Sequence, residues 1–130
     1  MNKVLHNVQV FKHMRKYKDD KWKSYTEVVC ADVYKISIGD HSRLICAFKK
    51  QNIWIPMDVL TGIAFAGCYK TKTSALQALT EYFEKLLNPE YPIMIVHTLE
   101  KLNKHEKELF KLLDENQKLC YNKYVDLCEN

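Results

Sequence analysis

Hydrophobic and polar positions alternate through the first third of the chain. Val4, Val8 and Val10 share one side of a period-two pattern, as in a half-buried strand. A second run, SYTEVVCADVYKISI, is rich in the β-branched and aromatic residues that favour strands. The polar sequence KDDK at 18–21 separates the two runs and is typical of a turn. We therefore predict a long hairpin from about residue 4 to about residue 37.

Three shorter apolar runs follow the hairpin: RLICAFK, IWIPM and GIAFAG. Gly39-Asp40 and the polar sequence KQN mark turns between them. Pro56 has no N–H for a strand ladder, so its strand should lie at an edge or end there. The pattern predicts an antiparallel meander of four to five strands over residues ~4–67.

The hydrophobic spacing then changes from two to three and four. Leu76, Leu79, Phe83 and Leu86 form one stripe of a helix, which we predict at about 72–87. Its start has several candidates, because Thr71 or Thr73 could cap the first turn and Ser74 with Gln77 fits a capping box.

A second helical region is predicted at about 89–127. Asn88 followed by Pro89 fits a helix start, and IMIV could instead form a short strand. Asn103 with Glu106 resembles another capping box, so we expect a kink near Asn103. Strands followed by helices indicate an α+β fold, a single domain over 1–130 with two to three helices packed on one face of the sheet.

The apolar stripe of the last helical region is wide. A helix of about 25 residues is about 37 Å long, more than a five-stranded sheet readily covers. The helix could pack only on its own sheet, or it could also form a homodimer. The stripe comprises Leu99, Leu102, Leu109, Leu112, Leu113, Leu119, Cys120, Tyr124 and Leu127.

Composition narrows the class of protein. The 130 residues suit one hydrophobic core, and no apolar run approaches the length of a membrane span. The first residues lack the apolar stretch of a signal peptide, so we expect a cytoplasmic protein with no membrane association. Five cysteines with no C-x-x-C pair argue against both a disulfide scaffold and a zinc site.

Positive charge is concentrated in the first half of the chain. Residues 1–70 carry a net charge of +6 and residues 71–130 a net charge of −2. Cations interleaved with aromatic rings suit nucleic acid, because lysines neutralise phosphates and rings stack on bases. The alternative is a solvated hairpin tip whose lysines prevent edge pairing. The candidate residues of this basic hairpin, 12–25, are Lys12, Arg15, Lys16, Lys18, Lys21, Trp22 and Lys23, with Tyr17 and Tyr25 beside them.

The stretch GIAFAGCYKTKTS at 62–74 resembles half of a phosphate-binding loop. Gly62 and Gly67 have the spacing of G-x-x-x-x-G-K-[ST], but Cys68 and Tyr69 stand where that chemistry needs Lys and Ser/Thr. The mismatch excludes a nucleotide hydrolase of this type.

A weaker anion site remains at the same junction, because a helix N-terminus attracts negative charge. It could hold a phosphate of a small nucleotide or of a partner strand. The candidate residues are Lys70, Thr71, Lys72 and Thr73.

The leading hypothesis is a small non-enzymatic binding protein that occludes a protein partner or holds a small anionic, nucleotide-like ligand. Its size and composition are those of inhibitors and sequestering proteins encoded by phages or mobile elements, which would act in the host cytoplasm. The alternative is a nucleic-acid-binding module that uses the basic hairpin. Nothing in the spacing of titratable residues indicates catalysis, so we expect no catalytic residue, cofactor or metal.

Overall fold

The computed structural model describes residues 1–129; Asn130, the last residue of the predicted domain, lies outside the described part. Four strands precede three helices, which confirms the α+β fold and the antiparallel meander. The sheet order is β1-β2-β3-β4. The elements are β1 Asn2–Lys18, β2 Lys21–Ile38, β3 His41–Lys50, β4 Ile53–Asp58, α1 Lys72–Leu86, α2 Pro92–Leu112 and α3 Glu115–Glu129. GIAFAG makes only an isolated bridge from Ala64 to Met57.

The first two strands extend well beyond the rest of the sheet. β1 and β2 pair from Asn2 opposite Lys35 to Lys18 opposite Lys21. β3 pairs with β2 only between Val33 and Ile38. Residues 21–32 of β2 therefore pair with β1 alone, and the paired residues 12–27 form a two-stranded extension that we call the ribbon.

The helices cover both faces of the sheet, which corrects the prediction of one covered face. Ile45 and Ala47 of β3 lie in a core cluster with α1, including Leu79 and Phe83. Their neighbours along the same strand belong to the opposite cluster, together with Tyr121 and Tyr124 of α3; these neighbours are Leu44, Cys46 and Phe48. Every residue from 43 to 48 is consequently buried.

The last helical region is divided at a different place from the one predicted. α2 begins at Pro92 and continues without a break through Asn103, and the chain leaves the helix at Leu113. Asp114 and Gln117 form the capping box, each side chain accepting from the other residue's backbone N–H at 2.8 and 3.0 Å. The capping box ends one helix and begins the next, so a single 25-residue helix does not form.

The loop after β4 returns to the ribbon and anchors its base. The backbone N–H of His13 donates to the carbonyl of Gly62 at 2.8 Å. Gly62 has φ +69, and a Cβ there would collide with the backbone carbonyl of Phe11 and approach Leu109 at 3.0 Å. The glycine therefore permits the close approach of two backbones.

A buried charge network holds α2 at the end of the sheet. Arg43 makes a bidentate contact with Asp58, at 3.1 and 2.5 Å, and donates to Glu106 of α2 at 2.8 Å. Asp58 is fully buried and also accepts from the backbone and hydroxyl of Thr61 at 3.1 and 2.7 Å. Burial raises the pKa of Glu106 by more than the nearby guanidinium lowers it.

Candidate nucleic-acid interface

The ribbon is regular enough for its register to determine which side chains share a face. Its two central turn residues, Asp19 and Asp20, have φ of 54 and 60, as in the type I′ turns that join two-residue hairpins. Register shifts occur only nearer the N-terminus, between Lys3 and Val8. Directly opposed residues lie on the same side of a ribbon, and successive residues alternate between its sides.

One side of the ribbon carries lysines in opposed pairs. Lys16 lies across from Lys23, and Lys18 lies across from Lys21. All four are exposed, and none forms an ion pair within residues 1–129. Like charges directly opposite one another destabilise a strand pair. We call these four residues the lysine face.

The other side of the ribbon carries aromatic rings and the ribbon's arginine. Tyr17 lies across from Trp22, with ring centroids 5.4 Å apart, and the two side chains are 59% and 63% exposed. Arg15 lies over Trp22 at 5.2 Å from the ring centroid. We call Arg15, Tyr17 and Trp22 the aromatic face.

The predicted hairpin candidates are therefore brought together but divided between two sides. Lys12 lies at the base of the ribbon and is half-buried, with its ammonium 5.2 Å from the ring centroid of Phe48. Tyr25 lies on the same side of the ribbon as the lysine face, and the ammonium of Lys16 lies 5.2 Å from the centroid of its ring. The ribbon as a whole has six cationic side chains and three carboxylates.

Two of the four residues of the predicted anion site at the start of α1 make hydrogen bonds within the protein. Thr71 caps the helix by accepting from the backbone N–H of Ser74 at 3.1 Å. Lys72 donates to Asp32 at 2.6 Å. Lys70 and Thr73 are exposed and stay candidates, but the geometry does not favour this terminus as a phosphate site.

The carboxylate of Asp32 contacts four other residues, an arrangement that the sequence pattern did not reveal. Besides Lys72, it contacts the ring of His6 at 2.9 Å, the ammonium of Lys3 at 3.4 Å and the backbone N–H of Asn7 at 2.8 Å. The hydrogen bond from Lys72, followed by that from Asn7, holds the pKa of Asp32 well below its usual range.

Asp32→Asn should lower the free energy of unfolding at pH 7 by about 1–2 kcal/mol, because the carboxylate loses charge-assisted hydrogen bonds at a partly exposed position. A depressed carboxyl pKa stabilises the folded state above the unfolded pKa of about 4, and this contribution is lost as the pH falls below it. Urea titrations at pH 7 and below pH 4 should therefore give a shallower acid dependence for the variant than for the native chain. Equal acid dependence would contradict this role, and Asp40→Asn in an exposed turn is the control.

An exposed apolar patch lies at the start of α2. Ile93 is 73% exposed, and Tyr91, Met94 and Val96 also present more than half of their surface. Isolated exposed apolar residues are ordinary, whereas a large contiguous apolar patch is typical of interaction sites. Most of the stripe that predicted a dimer instead lies against the protein's own sheet and helices, as Leu109 and Leu113 do.

Within residues 1–129 no three His, Cys, Asp or Glu side chains lie close enough together to hold a metal ion. None of the helices in that part of the chain has the length and apolar content needed to cross a bilayer. Comparison with protein-family models, curated proteins and solved structures finds no match to this chain.

Proposed function

We propose that this chain is a non-enzymatic protein that binds nucleic acid through its ribbon. The observation that carries the proposal is the lysine face, in which Lys16 opposes Lys23 and Lys18 opposes Lys21 and none of the four has a carboxylate partner within residues 1–129. Opposed like charges cost stability in the free protein. A polyanion removes this repulsion and releases its own counterions on binding.

The aromatic face supports nucleic acid over a merely solvated tip. Lysines alone would suffice to keep a hairpin soluble and to prevent edge pairing. They do not explain why Tyr17 and Trp22 remain about 60% exposed at the same tip. Large rings beside cations are the combination that binds phosphates and bases together.

Binding of a labelled oligonucleotide, followed by fluorescence anisotropy at 50 mM salt, tests the proposal. We expect saturable binding that weakens strongly at 200 mM salt, because lysine–phosphate contacts dominate the affinity. Anisotropy that does not change at 50 mM salt, at protein concentrations of about 100 μM, would exclude nucleic acid as the partner.

A second candidate function is occlusion of a protein partner, as in a phage- or mobile-element-type inhibitor. The apolar patch around Ile93 supports it, because exposed clusters of aromatic, Met and aliphatic side chains are typical of the centres of protein interfaces. A second copy of the chain is one such partner and would make the protein a homodimer.

Ile93→Asp tests the self-association form of this candidate. If two copies meet at the patch, the native chain should elute as a dimer at tens of micromolar, and the variant should dissociate at least about tenfold more readily. Size-exclusion chromatography with light scattering gives the mass directly. A monomeric native chain at that concentration would contradict self-association, and Lys101→Asp, at an exposed position further along α2, is the control.

A further inference from the structure

The aromatic face of the ribbon leads toward a cavity at the ribbon base. From the Tyr17–Trp22 pair, the same side continues through Arg15 opposite Ser24 to His13 opposite Thr26. Four residues along a strand span about 14 Å. The cavity has a volume of about 780 Å³, and its lining includes His13, Arg15, Ser24, Ile63, His105 and Glu108.

His13 lines this cavity, and one nitrogen of its ring is buried without a partner within residues 1–129. Its Nε2 is buried and has no hydrogen-bond partner among the described residues. Burial lowers the pKa of His13; Glu108 opposes that shift, and His105 and Arg15 add to it. The lowered pKa favours the uncharged imidazole, in which one nitrogen donates and the other accepts. Buried polar atoms are nearly always satisfied, and a turn of this ring toward the cavity would let a bound molecule satisfy this one.

We infer that the cavity receives one unpaired base of a single-stranded nucleic acid, while Trp22 and Tyr17 stack on its neighbours. This inference rests on the proposed function. A nucleobase is flat, carries donors and acceptors along its edge, and fits within a cavity of this size. In a duplex the same edge is paired and the base is stacked, so it cannot reach His13.

The side chains of the ribbon also indicate low sequence specificity. Base edges in a duplex groove are usually read by arginine or lysine at guanine and by asparagine or glutamine at adenine. Residues 12–27 contain no Asn or Gln, and their single Arg15 lies over Trp22. Stacking tolerates any base, because every base has a π-face. The partner class is therefore single-stranded DNA or RNA of mixed sequence.

Labelled single strands of about 15 nucleotides, as DNA and as RNA, and a duplex of the same sequence provide the test. We expect the full chain to bind at least one single strand about tenfold more tightly than the duplex, with quenching of Trp22 fluorescence. His13→Phe keeps the ring but removes the nitrogen, so it should weaken single-strand binding about three- to tenfold. His13→Gln, which can restore a hydrogen bond, should recover part of this loss.

Ser24→Ile provides a second, independent variant. A β-branched residue suits an exposed strand position, and its added bulk narrows the cavity mouth without touching the lysine face. It should weaken single-strand binding and leave duplex binding unchanged. Thermal unfolding of each variant checks that the fold is retained.

The outcomes separate this inference from the proposed function. Equal or tighter binding to the duplex, or native affinity in both His13→Phe and Ser24→Ile, overturns the single-strand cavity while leaving the ribbon as a nucleic-acid surface. Failure of every nucleic acid to bind at 50 mM salt overturns both.

Discussion

Reversing the lysine face to glutamate should lower the affinity for nucleic acid by at least about 100-fold at 50 mM salt, because phosphate contacts supply nearly all sequence-independent binding. The change converts four exposed cations, which have no carboxylate partner among the described residues, into four anions that repel the same phosphates. The substituted residues are Lys16, Lys18, Lys21 and Lys23. Fluorescence anisotropy with a labelled single strand measures the loss.

The effect of the protein's net charge must be separated from the effect of where the lysines lie. Four exposed lysines outside the ribbon can be reversed together, which changes the net charge equally. They are Lys50, Lys101, Lys107 and Lys123. We expect less than about a tenfold loss for this control, since distant exposed charges are screened beyond about 10 Å at 0.1 M salt. Equal losses in the two variants would show that binding depends on net charge and not on the ribbon.

Asp58→Ala should lower the free energy of unfolding by about 3–5 kcal/mol, because removing one partner of a buried ion pair leaves the other charge uncompensated. Arg43 would keep only Glu106, and the backbone N–H and hydroxyl of Thr61 would lose their acceptor. The buried guanidinium could not escape by deprotonation, because arginine stays protonated in proteins. Urea denaturation followed by circular dichroism measures the change.

The control for this prediction is Glu84→Ala, at an exposed position of α1. It should change stability by less than about 0.5 kcal/mol. A similarly small effect of Asp58→Ala would show that the network does not hold α2 against the sheet. Because the lysine face lies nearer the turn at Asp19-Asp20 than the ribbon base that the loop after β4 contacts, a folded Asp58→Ala chain should still bind nucleic acid.

The order of strands and helices was predictable because the underlying patterns are long and regular. The alternation before Gly39 continues over many residues and indicates strands. The spacing of three and four from Leu76 continues over several turns and indicates a helix. The edge position of the strand that contains Pro56 was also predictable, and Thr71 was one of the candidate caps, since each depends on the chemistry of one local residue.

The covering of both sheet faces was missed because β3 shows no alternation. RLICAF is apolar at almost every position, and each of its residues is buried. A strand with one solvated face alternates, whereas a strand covered on both faces reads as a continuous run. Arg43 at one end of this run and Asp58 at the end of β4 carried a further signal, since charges within apolar sequence are buried only when paired.

The break between α2 and α3 was misplaced because two sequences compete for it. Asn103 with Glu106 has capping-box spacing, as does Asp114 with Gln117. Glu106 instead contacts Arg43 across the end of the sheet, a partner 63 residues away. Sequence spacing alone does not distinguish a local cap from a distant ion pair.

The sequence predicted only part of the candidate interface. The basic and aromatic residues of the hairpin were identified, but their division between two faces depends on the register at Asp19-Asp20. The cavity at the ribbon base combines His13 with residues near positions 63 and 105. No local pattern places segments so distant in sequence next to one another.

The salt dependence of binding shows most directly whether the lysine face contacts phosphates. The logarithm of the association constant for a single strand should fall linearly with the logarithm of salt concentration, with a slope of about −3 for four neutralised phosphates. In the lysine-face reversal any residual binding should lose most of this slope. A slope near zero for the native chain, or the same slope for the native chain and the lysine-face reversal, would show that the lysine face does not contact phosphates.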